Sequence, residues 1–185
     1  MTPLLPRQPV PSLEVQTLEG SLWQLSNREP ENFTLVAFYR GLHCPICAKY
    51  LADLDRKLGE FAKHGVEVIT ISSDGKDRAE ATRKAWNLPS LNIGFGLGLD
   101  KARNWGLYIS TGRGMTSAGV EEPAFFSEPC LFLIRPDGTL FFGTVQTMPF
   151  ARPNFREILG AIEFVLAHDY PARGEVIDHH SAPMA

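Results

Sequence analysis

The chain has 185 residues, of which 44% are hydrophobic and 21% are charged, a composition typical of one globular domain and unlike that of disordered or fibrous proteins. Its 18 basic and 21 acidic residues give a net charge of −3, so it lacks the positive field that nucleic-acid binding requires. The longest apolar runs, at 35–39 and 130–134, reach five residues, too few to span a bilayer, and the proline-rich first residues do not resemble a secretory signal. We therefore expect a cytoplasmic protein that binds neither nucleic acid nor membranes.

The hydrophobic pattern predicts strands that alternate with helices. In chain order, the predicted elements are a leading β-hairpin over 12–25, a buried strand over 33–39, a helix that begins at 44–45 and stops at Gly65, a strand over 66–72, a helix over 76–86, a weaker strand over 90–97, a short helix over 100–106, a β-hairpin over 131–145 and a last helix over 155–166. Residues 107–127 show no periodicity, which predicts a long loop whose function the sequence does not indicate. We expect residues 1–168 to form a single domain and residues 169–185 to form a loose tail.

Two of the three cysteines lie at the start of the first predicted helix. Cys44 stands where a strand passes into that helix, a junction that offers free backbone N–H groups and the positive end of the helix dipole. Because these groups stabilise a thiolate, Cys44 is the candidate nucleophile, with a pKa below the usual value of about 8.5. Cys47 follows one turn later on the apolar face, within reach of a disulfide with Cys44, and is the candidate resolving cysteine.

Three other interpretations of these cysteines stay open. A structural disulfide across so short a loop would remove only about 2 kcal/mol of unfolded-state entropy, and a reducing compartment keeps thiols free. A zinc site would need further ligands, and the paired His179 and His180 lie in the tail. The third alternative is two ordinary core cysteines.

The sequence resembles a known family in three places. These are the leading hairpin, the segment FYRGLHCPIC at 38–47, and residues 129–138. Together they resemble the thioredoxin-fold proteins of the alkyl hydroperoxide reductase and thiol-specific antioxidant group, the peroxiredoxins and their relatives. The resemblance implies an α/β thioredoxin-like fold with a central mixed sheet flanked by helices, and an N-terminal β-hairpin.

The same resemblance implies a thiol-dependent peroxidase. Cys44 would attack hydrogen peroxide or an organic hydroperoxide and become a sulfenic acid, with which Cys47 would condense to a disulfide. The electrons would come from a thioredoxin-like protein or a low-molecular-weight thiol. No cofactor and no metal is implied, and a homodimer is possible.

Pro45 follows the nucleophile as it does in peroxiredoxins, but other positions depart from their pattern. Gly41 replaces the threonine expected three residues before the cysteine, and Ala37 replaces the proline expected seven before it. Pro129 replaces an expected arginine and resembles the cis-proline of thioredoxins, which predicts a cis bond with Glu128 next to the thiol pair. These departures keep two alternatives open: a thiol–disulfide oxidoreductase that acts on protein disulfides, and a non-enzymatic redox-sensing or binding module.

Three further residues are candidates for the neighbourhood of the thiol pair. Arg40 can supply the missing positive charge near Cys44, or be an ordinary solvated side chain. His43 can lower the pKa of the neighbouring thiol as a cation, or be a partly exposed polar residue. Cys130 begins a predicted strand, where a small thiol is ordinary core material, and we favour that interpretation; its adjacency to Pro129 could still bring it near Cys44.

Overall fold

The computed structural model describes residues 4–177. Its strands are β1 (Glu14–Thr17), β2 (Leu22–Gln24), β3 (Phe33–Phe38), β4 (Val66–Ile71), β5 (Ile93–Phe95), β6 (Ile109–Thr111), β7 (Phe125–Ser127), β8 (Cys130–Ile134) and β9 (Leu140–Val145), and its helices are α1 (Pro45–Lys63), α2 (Lys76–Ala85), α3 (Leu99–Asn104) and α4 (Phe155–His168). Seven strands form one mixed sheet in the order β2-β1-β5-β4-β3-β8-β9. The predicted mixed sheet with a leading hairpin and flanking helices is confirmed.

Strand β3 lies inside the sheet and divides the core into two layers. It pairs in parallel with β4 and antiparallel with β8. Because side chains alternate along a strand, Leu35 and Tyr39 pack on one face with α1, α2 and α4, while Val36 and Phe38 pack on the other with α3 and the leading hairpin. The loop that leaves β3 therefore delivers the start of α1 onto the first face.

Strand β5 is shorter than the sequence pattern predicts. Before it, the backbone N–H groups of Ser90 and Leu91 donate to the Asp55 carboxylate instead of to a neighbouring strand. After it, the Gly96 N–H donates to the carbonyl of Asp74. These contacts leave only Ile93–Phe95 for sheet pairing.

The prediction of a loop over 107–127 is partly wrong, because this segment contains the two-stranded antiparallel sheet of β6 and β7. We call residues 109–127 the insert hairpin. Each of its strands has three residues and is held by backbone pairing, so no apolar period is long enough to read in the sequence. The buried side chain of Phe126 anchors it to the rest of the fold.

The segment after α4 contacts the N-terminal residues as far as it is described. Ala172 is buried, its carbonyl accepts a 3.1 Å hydrogen bond from Arg7 Nε, and Glu175 forms an ion pair with Arg7. His179 and His180 lie outside the described residues. Within residues 4–177, no helix is long and apolar enough to cross a membrane.

Candidate active site

The loop between β3 and α1 presents Cys44 at the start of the helix. Gly41 in this loop has φ +131°, and a Cβ atom there would stand 2.6 Å from Asp74 Oδ2. The same carboxylate accepts a 2.7 Å hydrogen bond from the Leu42 N–H, and the Cys44 N–H donates to the Gly41 carbonyl over 3.1 Å. Asp74 thus occupies the space that a threonine side chain would need at position 41.

The two thiols are buried and lie in contact. Cys44 is the N-cap of α1, the exposed Pro45 is its first helical residue, and Cys44 Sγ accepts the Cys47 backbone N–H over 3.3 Å. The two Sγ atoms are 2.6 Å apart. Cys44 exposes 1% of its surface and Cys47 none. The pair is placed to close a disulfide without a large backbone movement.

The surroundings of Cys44 favour its thiolate. The hydrogen bond from the Cys47 thiol lowers the pKa of Cys44 most, and the Cys47 backbone N–H lowers it further. The positive charges of Arg152 and Arg40 act in the same direction, so that the pKa falls to about 6 although burial opposes the charge. Burial and the neighbouring sulfur raise the pKa of Cys47. These electrostatics support Cys44 as the attacking thiol and Cys47 as the group that keeps its proton.

Arg152, which the sequence analysis missed, contacts both sulfur atoms. It lies in the loop between β9 and α4, and its Nη2 stands 3.2 Å from Cys47 Sγ and 3.8 Å from Cys44 Sγ. Its Nε donates to the Pro149 carbonyl over 2.8 Å, and its guanidinium lies 5.1 Å from the ring centroid of Tyr50. Its Nη1 is buried with no hydrogen-bond partner among the described residues. One signal in the sequence could have identified it, since Arg152 is the only charged residue between positions 138 and 155.

Arg40 is close to the thiol pair but is bound to carboxylates. Its guanidinium forms ion pairs with Glu122 at 3.2 Å and Glu128 at 3.5 Å, and it makes no hydrogen bond to either sulfur. Arg40 is therefore neither a solvated side chain nor the cation nearest to the sulfurs.

The structure contradicts both expectations for the His43 side chain. Its side chain is fully buried and packs against Phe126, with ring centroids 4.6 Å apart and the ring planes tilted by 56°. Burial and the charge of Arg40 lower the pKa of His43 to about 4. The ring is neutral at neutral pH, so neither a cationic nor a partly exposed imidazole is correct.

The predicted cis-proline is wrong. No peptide bond within residues 4–177 is cis, so the bond between Glu128 and Pro129 is trans. Extended backbone is held on both sides of it, because the Glu128 N–H donates to the Tyr108 carbonyl over 2.8 Å and the Gln146 N–H donates to the Pro129 carbonyl over 3.2 Å. The trans form is favoured by about 0.5–1 kcal/mol where nothing demands cis.

Cys130 lies in the core, on the sheet face opposite the thiol pair. It pairs with Phe38 in the β3–β8 register and packs in the cluster that contains α3 residues, whereas Cys44 and Cys47 pack in the other cluster. Burial raises its pKa to about 12. The interpretation of Cys130 as core is confirmed.

A shallow groove of about 270 Å³ is lined by Ile46, Tyr50, Phe150, Arg152 and Phe155 among others. It adjoins the site through Arg152, which contacts both sulfur atoms. Larger cavities, of about 410, 500, 380 and 390 Å³, lie elsewhere on the fold, and neither cysteine of the pair lines any of them or the groove. Among residues 4–177, no group of three or more His, Cys, Asp or Glu side chains is arranged to hold a metal ion.

Comparison with known proteins shows the fold and the family of the chain. No curated protein sequence matches the chain. Solved structures with a similar fold include peroxidoxin BcpB of Mycobacterium tuberculosis (16% identity, TM-score 0.67, 88% of this chain and 98% of that one) and the reduced 2-Cys peroxiredoxin of Plasmodium vivax (17% identity, TM-score 0.72, 90% and 84%). The mitochondrial 2-Cys peroxiredoxin of Plasmodium falciparum is also similar (21% identity, TM-score 0.66, 94% and 100%). The model of the AhpC/TSA family matches residues 6–142, and the chain therefore belongs to the AhpC/TSA family.

Proposed function

We propose that the protein is a thiol peroxidase in which Cys44 reduces hydrogen peroxide or an organic hydroperoxide. The observation that carries this proposal is the setting of Cys44 Sγ at the start of α1, where it accepts the Cys47 N–H over 3.3 Å, contacts the Cys47 thiol and lies 3.8 Å from Arg152 Nη2. These groups lower the pKa of Cys44 to about 6. A thiol with this pKa is mostly ionised at neutral pH, and the thiolate is the nucleophile that attacks an O–O bond.

The first step transfers one oxygen to sulfur. The Cys44 thiolate forms a bond to one peroxide oxygen, the O–O bond breaks, and the leaving hydroxide or alkoxide takes a proton to become water or an alcohol. The Cys44 sulfur is oxidised to a sulfenic acid and the peroxide is reduced. The Arg152 guanidinium, whose Nη2 lies 3.8 Å from Cys44 Sγ and whose buried Nη1 has no hydrogen-bond partner among the described residues, is available to donate to an oxygen bound beside that sulfur.

The second step closes the disulfide. The Cys47 sulfur attacks the sulfenic acid, the S–O bond breaks, and the Cys47 proton leaves with the hydroxyl as water. The two sulfur atoms already stand 2.6 Å apart. Two electrons from an external thiol, on a thioredoxin-like protein or a small molecule, then restore both thiols. Such a donor is abundant in a reducing compartment, so we also propose a cytoplasmic location; a homodimer is part of the same proposal.

Exchange with protein disulfides is the weaker candidate. A folded protein disulfide is bulky and has to reach the attacking sulfur directly, whereas Cys44 exposes 1% of its surface. The thioredoxin-like cis-proline that would support disulfide exchange is also not formed, because the peptide bond before Pro129 is trans. A peroxide is smaller and needs less opening of the site.

The proposal is tested by counting thiols and identifying adducts. One equivalent of peroxide is expected to remove two of the three thiols, to leave Cys130 free, and to join Cys44 to Cys47, as located by mass spectrometry. Cys44→Ser abolishes peroxide consumption with a dithiol donor, and Cys130→Ser, the matched control, retains it. Cys47→Ser forms one sulfenic acid and then depends on external thiol. If Cys47→Ser traps a disulfide-bonded protein but forms no sulfenic acid, the protein is a disulfide reductase; if it forms neither adduct, both enzymatic hypotheses fail.

A further inference from the structure

The insert hairpin and the residue that follows it hold the arginine at the start of the active-site loop. Glu122 Oε1 lies 3.2 Å from Arg40 Nη2, and Glu128 Oε2 lies 3.5 Å from Arg40 Nε. The exposed fractions of the three side chains are 19% for Arg40, 9% for Glu122 and 7% for Glu128. The Glu128 carboxylate also accepts a 2.6 Å hydrogen bond from Ser110 in β6. Strand β6, the loop between β6 and β7, and the residue after β7 thus help to orient one guanidinium group.

A second contact is made by the ring of Phe126. The Arg40 guanidinium stands 4.6 Å from the ring centroid, and the His43 ring stands 4.6 Å from it. Phe126 is 1% exposed. It therefore packs against both ends of the loop that runs from Arg40 to His43, directly before Cys44.

A third contact reaches the middle of the loop through two side chains. The Glu121 carbonyl accepts a 3.3 Å hydrogen bond from Arg78 Nη2, and Arg78 Nε donates to Asp74 Oδ1 over 2.8 Å. Asp74 in turn accepts the Leu42 N–H. The hairpin is therefore connected to the start, the middle and the end of the loop.

We propose that the insert hairpin positions the attacking thiol, with Glu122 and Glu128 holding Arg40 and thereby fixing the loop backbone that sets the place of Cys44 Sγ. This rests on the proposed function of Cys44 as the attacking thiol. The loop backbone is coupled to the sulfur because the Cys44 N–H donates to the Gly41 carbonyl. Glu122 and Glu128 are positioning residues, since they act through Arg40.

The direction in which the Cys44 pKa changes when a glutamate is replaced separates a positioning role from a charge effect. The groups that act on the Cys44 thiolate are Cys47 on α1, Arg152 before α4 and Arg40 on the loop. Replacing a glutamate near Arg40 by glutamine removes a negative charge, and through the field alone this lowers the thiol pKa. A loosened loop weakens the hydrogen bonds from Cys47 to the thiolate, and this raises the pKa.

The experiment titrates the thiolate by its ultraviolet absorbance in the reduced full-length protein. Glu122→Gln is expected to raise the pKa of Cys44 by about one unit, which corresponds to about a tenfold change in the ionisation equilibrium. Arg40→Lys keeps the charge but cannot engage both carboxylates as a fork, and the same rise is expected. Glu121→Gln is the matched control, because its side chain is exposed and makes no ion pair among residues 4–177; its titration is expected to match that of the wild type.

Each outcome decides the proposal. A raised pKa in Glu122→Gln and Arg40→Lys, with Glu121→Gln unchanged, supports positioning, and an unchanged or lowered pKa in Glu122→Gln overturns it. If circular dichroism shows Glu122→Gln to be unfolded, Arg40→Lys decides in the same way. Peroxide consumption by the wild type is measured separately. Its absence refutes the peroxidase proposal, while the titration still tests the role of the hairpin.

Discussion

Replacing Arg152 by glutamine should raise the pKa of Cys44 and slow its reaction with peroxide. Arg152 Nη2 is 3.8 Å from Cys44 Sγ, and two unit charges at that distance attract by about 4 kcal/mol at an effective dielectric constant of about 20. The net effect is smaller, because Arg152 is partly exposed, is shared with Cys47 and is one of several groups that stabilise the thiolate. We expect a rise of about 1–2 units. Starting from a pKa of about 6, the thiolate fraction at pH 7 falls from about 90% to between about 50% and 10%.

The assay is a pH titration of thiolate absorbance, together with the rate of the first peroxide turnover. Arg156→Gln serves as the matched control, because Arg156 is an exposed arginine near the same loop whose guanidinium forms no hydrogen bond or ion pair with the described residues. Arg152→Lys should raise the pKa of Cys44 less than Arg152→Gln does, since the charge remains while the contact with two sulfurs is lost. If the thiol of Arg152→Gln titrates as in the wild type, Arg152 does not stabilise the thiolate and the reasoning is refuted.

Three further predictions concern stability and the core. Burial lowers the pKa of His43 to about 4 from its usual 6.5, so the unfolded chain gains a proton before the folded protein does as the pH falls from about 6.5 to 4. In denaturant titrations over that pH range, the wild type should therefore lose about 2–3 kcal/mol more stability than His43→Leu. Equal losses would contradict the burial of a neutral ring. Gly41→Thr should destabilise the protein by about 2 kcal/mol or more, because a Cβ at φ +131° meets Asp74, and a thermal midpoint equal to that of the wild type would disprove the close approach. Cys130→Ser should leave the titration of Cys44 unchanged, since the two lie on opposite faces of the sheet; a shifted titration would show that they communicate.

The fold and the thiol pair could be predicted from sequence because their signals are local. The alternation of strand and helix and the Cys-X-X-Cys spacing are both short-range patterns. Arg152 could not be placed in this way, since its contact with Cys44 spans 108 residues and begins in an irregular loop. The predicted cis bond at Pro129 came from likeness to a motif rather than from the backbone pairing that decides it. The insert hairpin was missed because its strands are too short to carry a period.

The near-complete burial of Cys44 has a kinetic consequence. Under the proposed mechanism, a peroxide reaches the sulfur only when the surrounding residues move aside, so we expect the observed rate constant to be the intrinsic one multiplied by the fraction of open molecules. The same cover shields the newly formed sulfenic acid. Under the proposed mechanism, Cys47 already lies in contact with the oxidised sulfur, so we expect disulfide closure to compete with a second peroxide molecule and to limit over-oxidation to the sulfinic state. The same burial would thus slow each encounter with peroxide and protect the sulfur between encounters.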